Sequence, residues 1–249
     1  MKTALLTTTY FGPVQWYQKL VRYDRCIIEQ HDTFQKQTYR NRCVIATANG
    51  LQALTVPVEH QLPAADDGTR RAACVKDVRI SDHAQWRRVH WNALSSAYSE
   101  SPFFDYYADD LHDFFSRRYD YLIDLNEAIR QTVCSLIDLH PAVSLSSEFT
   151  AVAPGSRSAD VTQQEKKISH RDNSVTCREK KLSYGDNFVT CRDTVADFRQ
   201  TISAKHPGDD PEFEARPYWQ VFGRRYGFQP NLSILDLLFC MGPEAIFYL

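Results

Sequence analysis

The stretch that decides the fold is Ala4-Leu5-Leu6-Thr7-Thr8-Thr9-Tyr10-Phe11-Gly12-Pro13-Val14-Gln15-Trp16-Tyr17-Gln18-Lys19-Leu20-Val21-Arg22-Tyr23-Asp24-Arg25-Cys26-Ile27-Ile28-Glu29-Gln30. Residues 4–10 read as a buried strand, and the pair Gly12-Pro13 breaks it. Pro13 suits a first helical turn, where its fixed φ is already right and its missing N–H would have no partner. Val14, Tyr17, Leu20 and Val21 then recur at helical spacing. Residues 25–30 form a second apolar strand. Strand, helix and strand in so short a span predict a βαβ opening, and therefore a parallel pair.

Beyond it, Cys43 to Thr47, then Ala48-Asn49-Gly50, then Leu51 to Val58 predict a hairpin. Asn-Gly between two β-rich runs favours a type I′ turn, because both residues tolerate positive φ. Pro57 implies an edge or a bulge there. Val75 to Ile80 reads as a further strand, with Asp77 and Arg79 on one face as a salt bridge. Ser81 or Asp82 caps a helix whose face carries Trp86, Val89, His90 and Ala93. Pro102 separates it from a longer helical run that breaks near Ser116. Leu232, Leu235, Leu238 and Phe239, behind Asn231 or Ser233 as a cap, form a closing helix. The expectation is a single α/β domain over residues 1–249. Its mixed sheet is opened by the βαβ unit, with a helical segment at 83–140 packed on it.

Residues 151–194 are polar and repetitive. Residues 165–178 are followed at once by a second copy at 179–192, with ten of fourteen aligned pairs identical. Two short copies are too few for a solenoid. They read as a duplication within an insertion that projects from the core with little buried surface.

The chain carries 29 Lys and Arg against 31 Asp and Glu, a formal charge of −2. That balance gives no global attraction toward nucleic acid or anionic membrane. The seven cysteines are scattered without zinc-site spacing and read as reduced thiols. No stretch approaches the roughly twenty apolar residues of a membrane span, and the start is too polar for a signal peptide. A cytoplasmic protein with no nucleic-acid partner is expected.

The densest polar cluster, Gln30 to Arg42, leaves the second strand where α/β sheets gather ligands. His31 as base, Asp32 as its orienting acid and Arg42 as a phosphate- or carboxylate-holding cation form one reading. A polar loop with structural hydrogen bonds is the other. Trp86 and His90, four apart on one helix face, either line a sugar or nucleobase pocket or pack as a core pair. Walker A, G-x-G-x-x-G, G-x-S-x-G and H-E-x-x-H motifs are absent. This argues against ordinary kinases, nucleotide-dependent dehydrogenases, α/β-hydrolases and zincins, but not against transferases.

Thr9 to Tyr17, Gln35 to Arg42, Leu54 to Val58, Trp86-Arg87-Arg88-Val89-His90-Trp91, Ala97 to Phe104 and Asn231 to Phe239 together resemble the WbqC-like family. The resemblance implies a place in bacterial surface-polysaccharide biosynthesis and transfer of an aminoacyl group, such as glycyl, or an acyl group to a sugar. The alternative is a non-catalytic scaffold or carbohydrate-binding protein of the same pathway. The resemblance leaves the cofactor, the donor and the acceptor unassigned. Gln15, Lys36, Asn41, Arg42, Trp86, His90 and Tyr98 stand at the family's polar and aromatic motif positions. His90 or His31 would be the base, and the others would bind substrate. Arg42 and His90 are expected to share a cleft walled by Gln15 and Trp86.

Overall fold

A computed structural model describes residues 1–59, 73–150 and 194–249. Strand β1 (Lys2–Thr7), helix α1 (Val14–Arg22) and strand β2 (Arg25–Glu29) form the βαβ unit. β1 and β2 pair in parallel from Thr3 with Arg25 to Thr7 with Glu29. Short β5 (Val143–Leu145) adds to β2, and β6 (Thr194–Asp197) adds to the other side of β1, both parallel. The sheet order is β5-β2-β1-β6. Ala4, Leu5 and Leu6 of β1 are fully buried, as a central strand covered on both faces requires.

The hairpin of β3 (Arg42–Thr47) and β4 (Gly50–Thr55) forms a separate two-stranded sheet. Parallel and antiparallel pairings are thus divided between two sheets. The turn differs from the expected type I′. Thr47 pairs with Gly50, so the central residues are Ala48 and Asn49, and only Gly50 has positive φ, at 103°. Neither central residue is left-handed, so the turn is not type I′; the glycine that closes it takes the positive φ, and the register runs on without a bulge.

Helices α2 (Trp86–Tyr98), α3 (Phe104–Ser116) and α4 (Leu122–Leu136) occupy the expected helical segment. The buried face of α2 carries Trp86, His90, Leu94, Ala97 and Tyr98, while Val89 lies outside it. Ala84 and Gln85 take left-handed φ, so α2 starts at Trp86 and neither Ser81 nor Asp82 caps it. Asp82 instead pairs with Arg87.

Residues 75–80 do not make a strand. Val75–Asp77 is a 3-10 turn, and Arg79 and Ile80 make only isolated bridges, to Tyr121 and Val58. Arg79 stacks over the Tyr121 ring rather than pairing with Asp77. After a four-residue helix α5 (Gly223–Tyr226), α6 (Ile234–Met241) closes the core, its Leu235 N–H donating to the Ser233 hydroxyl as the cap reading requires. The tandem repeat lies outside the described residues. Thr194, assigned to the insertion from sequence, is instead the first residue of β6.

Candidate functional site

The connections β1 to β2 and β2 to β5 move outward on one side, and β6 then joins on the other side of β1. The order reverses at the β1/β6 boundary. In open parallel sheets such a reversal leaves a crevice beyond the strands' carboxyl ends, where ligands bind. The residues delivered there are Thr7 to Thr9 from β1, Glu29 from β2, Ser146 after β5, and Asp197 to Arg199 from β6.

A phosphate would ordinarily be held at the amino end of α1 in this topology. That position is taken. The Val14 N–H donates to the Leu232 carbonyl at 3.0 Å, and the Gln15 N–H donates to Asn231 Oδ1 at 2.9 Å. The turn leading to it is also tight. A Cβ at Gly12 would come within 2.4 Å of Thr9 Oγ1, so only glycine fits.

The charge at this end of the sheet lies beside the helix terminus, not on it. Buried Glu29 accepts from the His31 N–H at 2.8 Å, the Ser146 hydroxyl at 2.7 Å and the Thr150 N–H at 2.8 Å. Desolvation pushes its carboxyl pKa up, but these three donors, aided by Arg199, outweigh burial and hold it below the usual value. Arg199 donates to both oxygens of Asp197, and its Nη1 stands 3.9 Å from Glu29 Oε2. Arg40 donates to Asp32 at 2.8 Å, and burial, as the largest cause, lowers its pKa. Arg40 Nε is buried with no acceptor. Two guanidiniums and three carboxylates therefore meet at one end of a parallel sheet.

The residues singled out from sequence separate into groups. Trp86 and His90 pack together with ring centroids 5.2 Å apart, and Tyr10 Oη lies 2.9 Å from His90 Nδ1. Burial pushes the imidazole down to about 4, with a hydrogen bond to the Thr55 main chain opposing it. Arg42 reaches the same residue, Nε donating to Thr55 Oγ1 at 3.1 Å. Arg42, Trp86 and His90 are thus neighbours around Thr55 and Tyr10, but His90 and Trp86 are buried in the packing. A neutral, enclosed imidazole of such low basicity is a poor general base at neutral pH.

Gln15 is elsewhere, donating to Asp210 at 2.7 Å and accepting from Asn231 at 3.0 Å. Tyr98 is buried, and its hydroxyl donates to Asp236 at 2.8 Å; Tyr218 and Gln220 donate to the same carboxylate. Asn41 donates to the Val56 carbonyl at 2.8 Å. Lys36 is exposed, and His31 is half-buried at the strand end with its main chain tied to Glu29. Of the residues singled out from sequence, His31 and Asp32 lie at the switch-point cluster, with Asp32 paired to Arg40 and not to the His31 ring.

Glu29, Asp197 and Arg199 escaped the sequence reading. Glu29 closes an apolar run and looks like a strand-end solvent contact, and β6 is four residues long behind a polar insertion. Among the described residues, no group of three or more His, Cys, Asp or Glu side chains could share a metal ion. Nor is any described helix long and apolar enough to cross a membrane.

A model of the WbqC-like protein family matches residues 8–183. The uncharacterised protein Rv1507c of Mycobacterium tuberculosis is 29% identical over 265 residues, an alignment covering all of this chain and 98% of that protein. No solved structure matches.

Proposed function

Because the chain belongs to the WbqC-like family, we propose that it is a transferase that moves an aminoacyl group, such as glycyl, or an acyl group onto a sugar in bacterial surface-polysaccharide biosynthesis. In such a transfer a sugar amine or hydroxyl attacks the acyl carbonyl, a base takes its proton, and the leaving group departs with the bonding pair. The switch-point cluster supports this reading through one observation above the rest. Arg199 Nη1 lies 3.9 Å from Glu29, too far for a hydrogen bond, so part of this guanidinium is uncommitted at the place where α/β sheets hold anionic ligand groups. In this reading Arg199 holds a phosphate or carboxylate of the donor. His31, beside Glu29, is the base in preference to enclosed His90.

The test incubates the purified protein with acyl and aminoacyl donors and amino- or hydroxy-sugars, with products read by mass spectrometry. Arg199→Gln should abolish transfer while leaving the circular dichroism unchanged. Transfer at the wild-type rate by that variant would remove the switch point from the mechanism. The second reading, a carbohydrate-binding or scaffold protein, draws support from the low basicity of His90. It predicts saturable sugar binding without product in the same assay.

A further inference from the structure

Away from the switch point, α2 and α3 enclose an open groove of about 400 Å³, lined by Gln85, Arg87, Arg88, Trp91, His112 and Phe115. Its size falls within the range of small-ligand sites. Its walls are aromatic. Trp91 stands edge-on to His112 at 4.8 Å and packs on Phe115 at 5.6 Å, while Phe115 stacks on Phe11 from the β1 exit. The wall is therefore fixed from behind by the core.

The charge in the groove is positive. Asp82 pairs with both Arg87 and Arg118, one carboxylate against two guanidiniums. Arg88 is exposed and makes no ion pair among the described residues. On α3, Asp113 is 4.0 Å from Arg117, which leaves Asp109, one turn from His112, as the nearby opposing acid. Arg87 also keeps a buried Nε–H with no acceptor. A buried donor left unpaired costs free energy, which a shift of this side chain toward a bound anion would relieve.

We infer that this groove binds a ring-bearing phosphate ester, with the phosphate at Arg87 and Arg88 and the ring against Trp91. Guanidiniums suit phosphate oxygens, and an indole offers an apolar face for a sugar or base ring. The site is distinct from the switch-point cluster, and its occupancy does not depend on the transferase reading.

Calorimetric titration of the intact protein with glucose 1-phosphate and with uridine monophosphate tests it. Glucose, uridine and inorganic phosphate serve as controls. At least one ester should bind saturably, more tightly than inorganic phosphate, while its unphosphorylated parent does not bind; which ester binds identifies the ring. Arg88→Ala should weaken that binding about tenfold, the loss of one charge-assisted contact. Trp91→Leu should bring the ester down to the affinity of inorganic phosphate. Since Trp91 also packs on Phe104, the exposed Arg88 variant decides if Trp91→Leu melts early. Binding of neither ester, an ester affinity no greater than that of inorganic phosphate, or unchanged affinity in Arg88→Ala overturns the inference.

Discussion

At the scale of single residues, His90 makes a prediction whose sign is fixed by its burial. Nδ1 accepts from Tyr10, and a proton on Nε2 suits the Thr55 main-chain contact, so the neutral ring fits its surroundings. Burial holds its folded pKa at about 4, while an unfolded histidine titrates near 6.5. Between these values the unfolded chain binds more protons, so stability falls as pH falls from about 6.5 toward 4, by about 3 kcal/mol in all. Buried Asp236, raised chiefly by desolvation, contributes the opposite slope in part of this range. It is common to both proteins if wild type is compared with His90→Gln. Urea unfolding at neutral pH and at pH near 5 should show the variant losing less stability on acidification. Equal slopes would mean that His90 is not held neutral. The sequence placed Trp86 and His90 correctly on one helix face. Helical spacing alone does not distinguish a face turned to a cleft from one turned to the core, and here the core took it.

At the scale of elements, the amino end of α1 shows how a familiar topology is redirected. Asn231 holds φ 58°, accepts from the Gln15 N–H and donates to the Gln15 side chain. Asn231→Gly keeps that backbone accessible but removes both contacts, and should cost about 1–2 kcal/mol in chemical denaturation. An unchanged midpoint would show that the helix end needs no cap from the 230–233 segment. β1, α1 and β2 were legible because breakers and periodicity are local signals. β5 and β6 were not, because strands of three and four residues exist by virtue of their neighbours, β2 and β1. Residues 75–80 carry a strand's composition, yet Val75 and Lys76 spend their N–H groups on Asp32 and Gln30 carbonyls outside any continuous ladder. The switch-point cluster inherits this difficulty, since Asp197 and Arg199 depend on β6 being recognised as a strand at all.

At the scale of the whole molecule, the sheet's first helix is bound to the last fifth of the chain by polar groups that the core has enclosed. Gln18 donates to the Glu214 carbonyl at 2.7 Å and to the Tyr248 carbonyl at 3.3 Å. At the centre, Lys19, fully buried, stands 2.9 Å from Asp210, whose carboxylate also accepts from Gln15 and the Glu212 N–H. Gln15 read from sequence as a pocket wall because its partners lie 195 and 216 residues away. Two buried charges lose hydration on folding, so the pair's value depends on both members being present. Lys19→Met should leave Asp210 enclosed with neutral donors only, and cost about 3–5 kcal/mol. Lys19→Met combined with Asp210→Asn removes both charges and should recover much of that loss, because Asn keeps an acceptor for Gln15 while nothing ionic remains buried. Denaturation curves of the two variants settle it. A double variant no more stable than Lys19→Met would show that the lysine acts through its packing over Phe198, 4.3 Å from the ring centroid, rather than through the charge of Asp210.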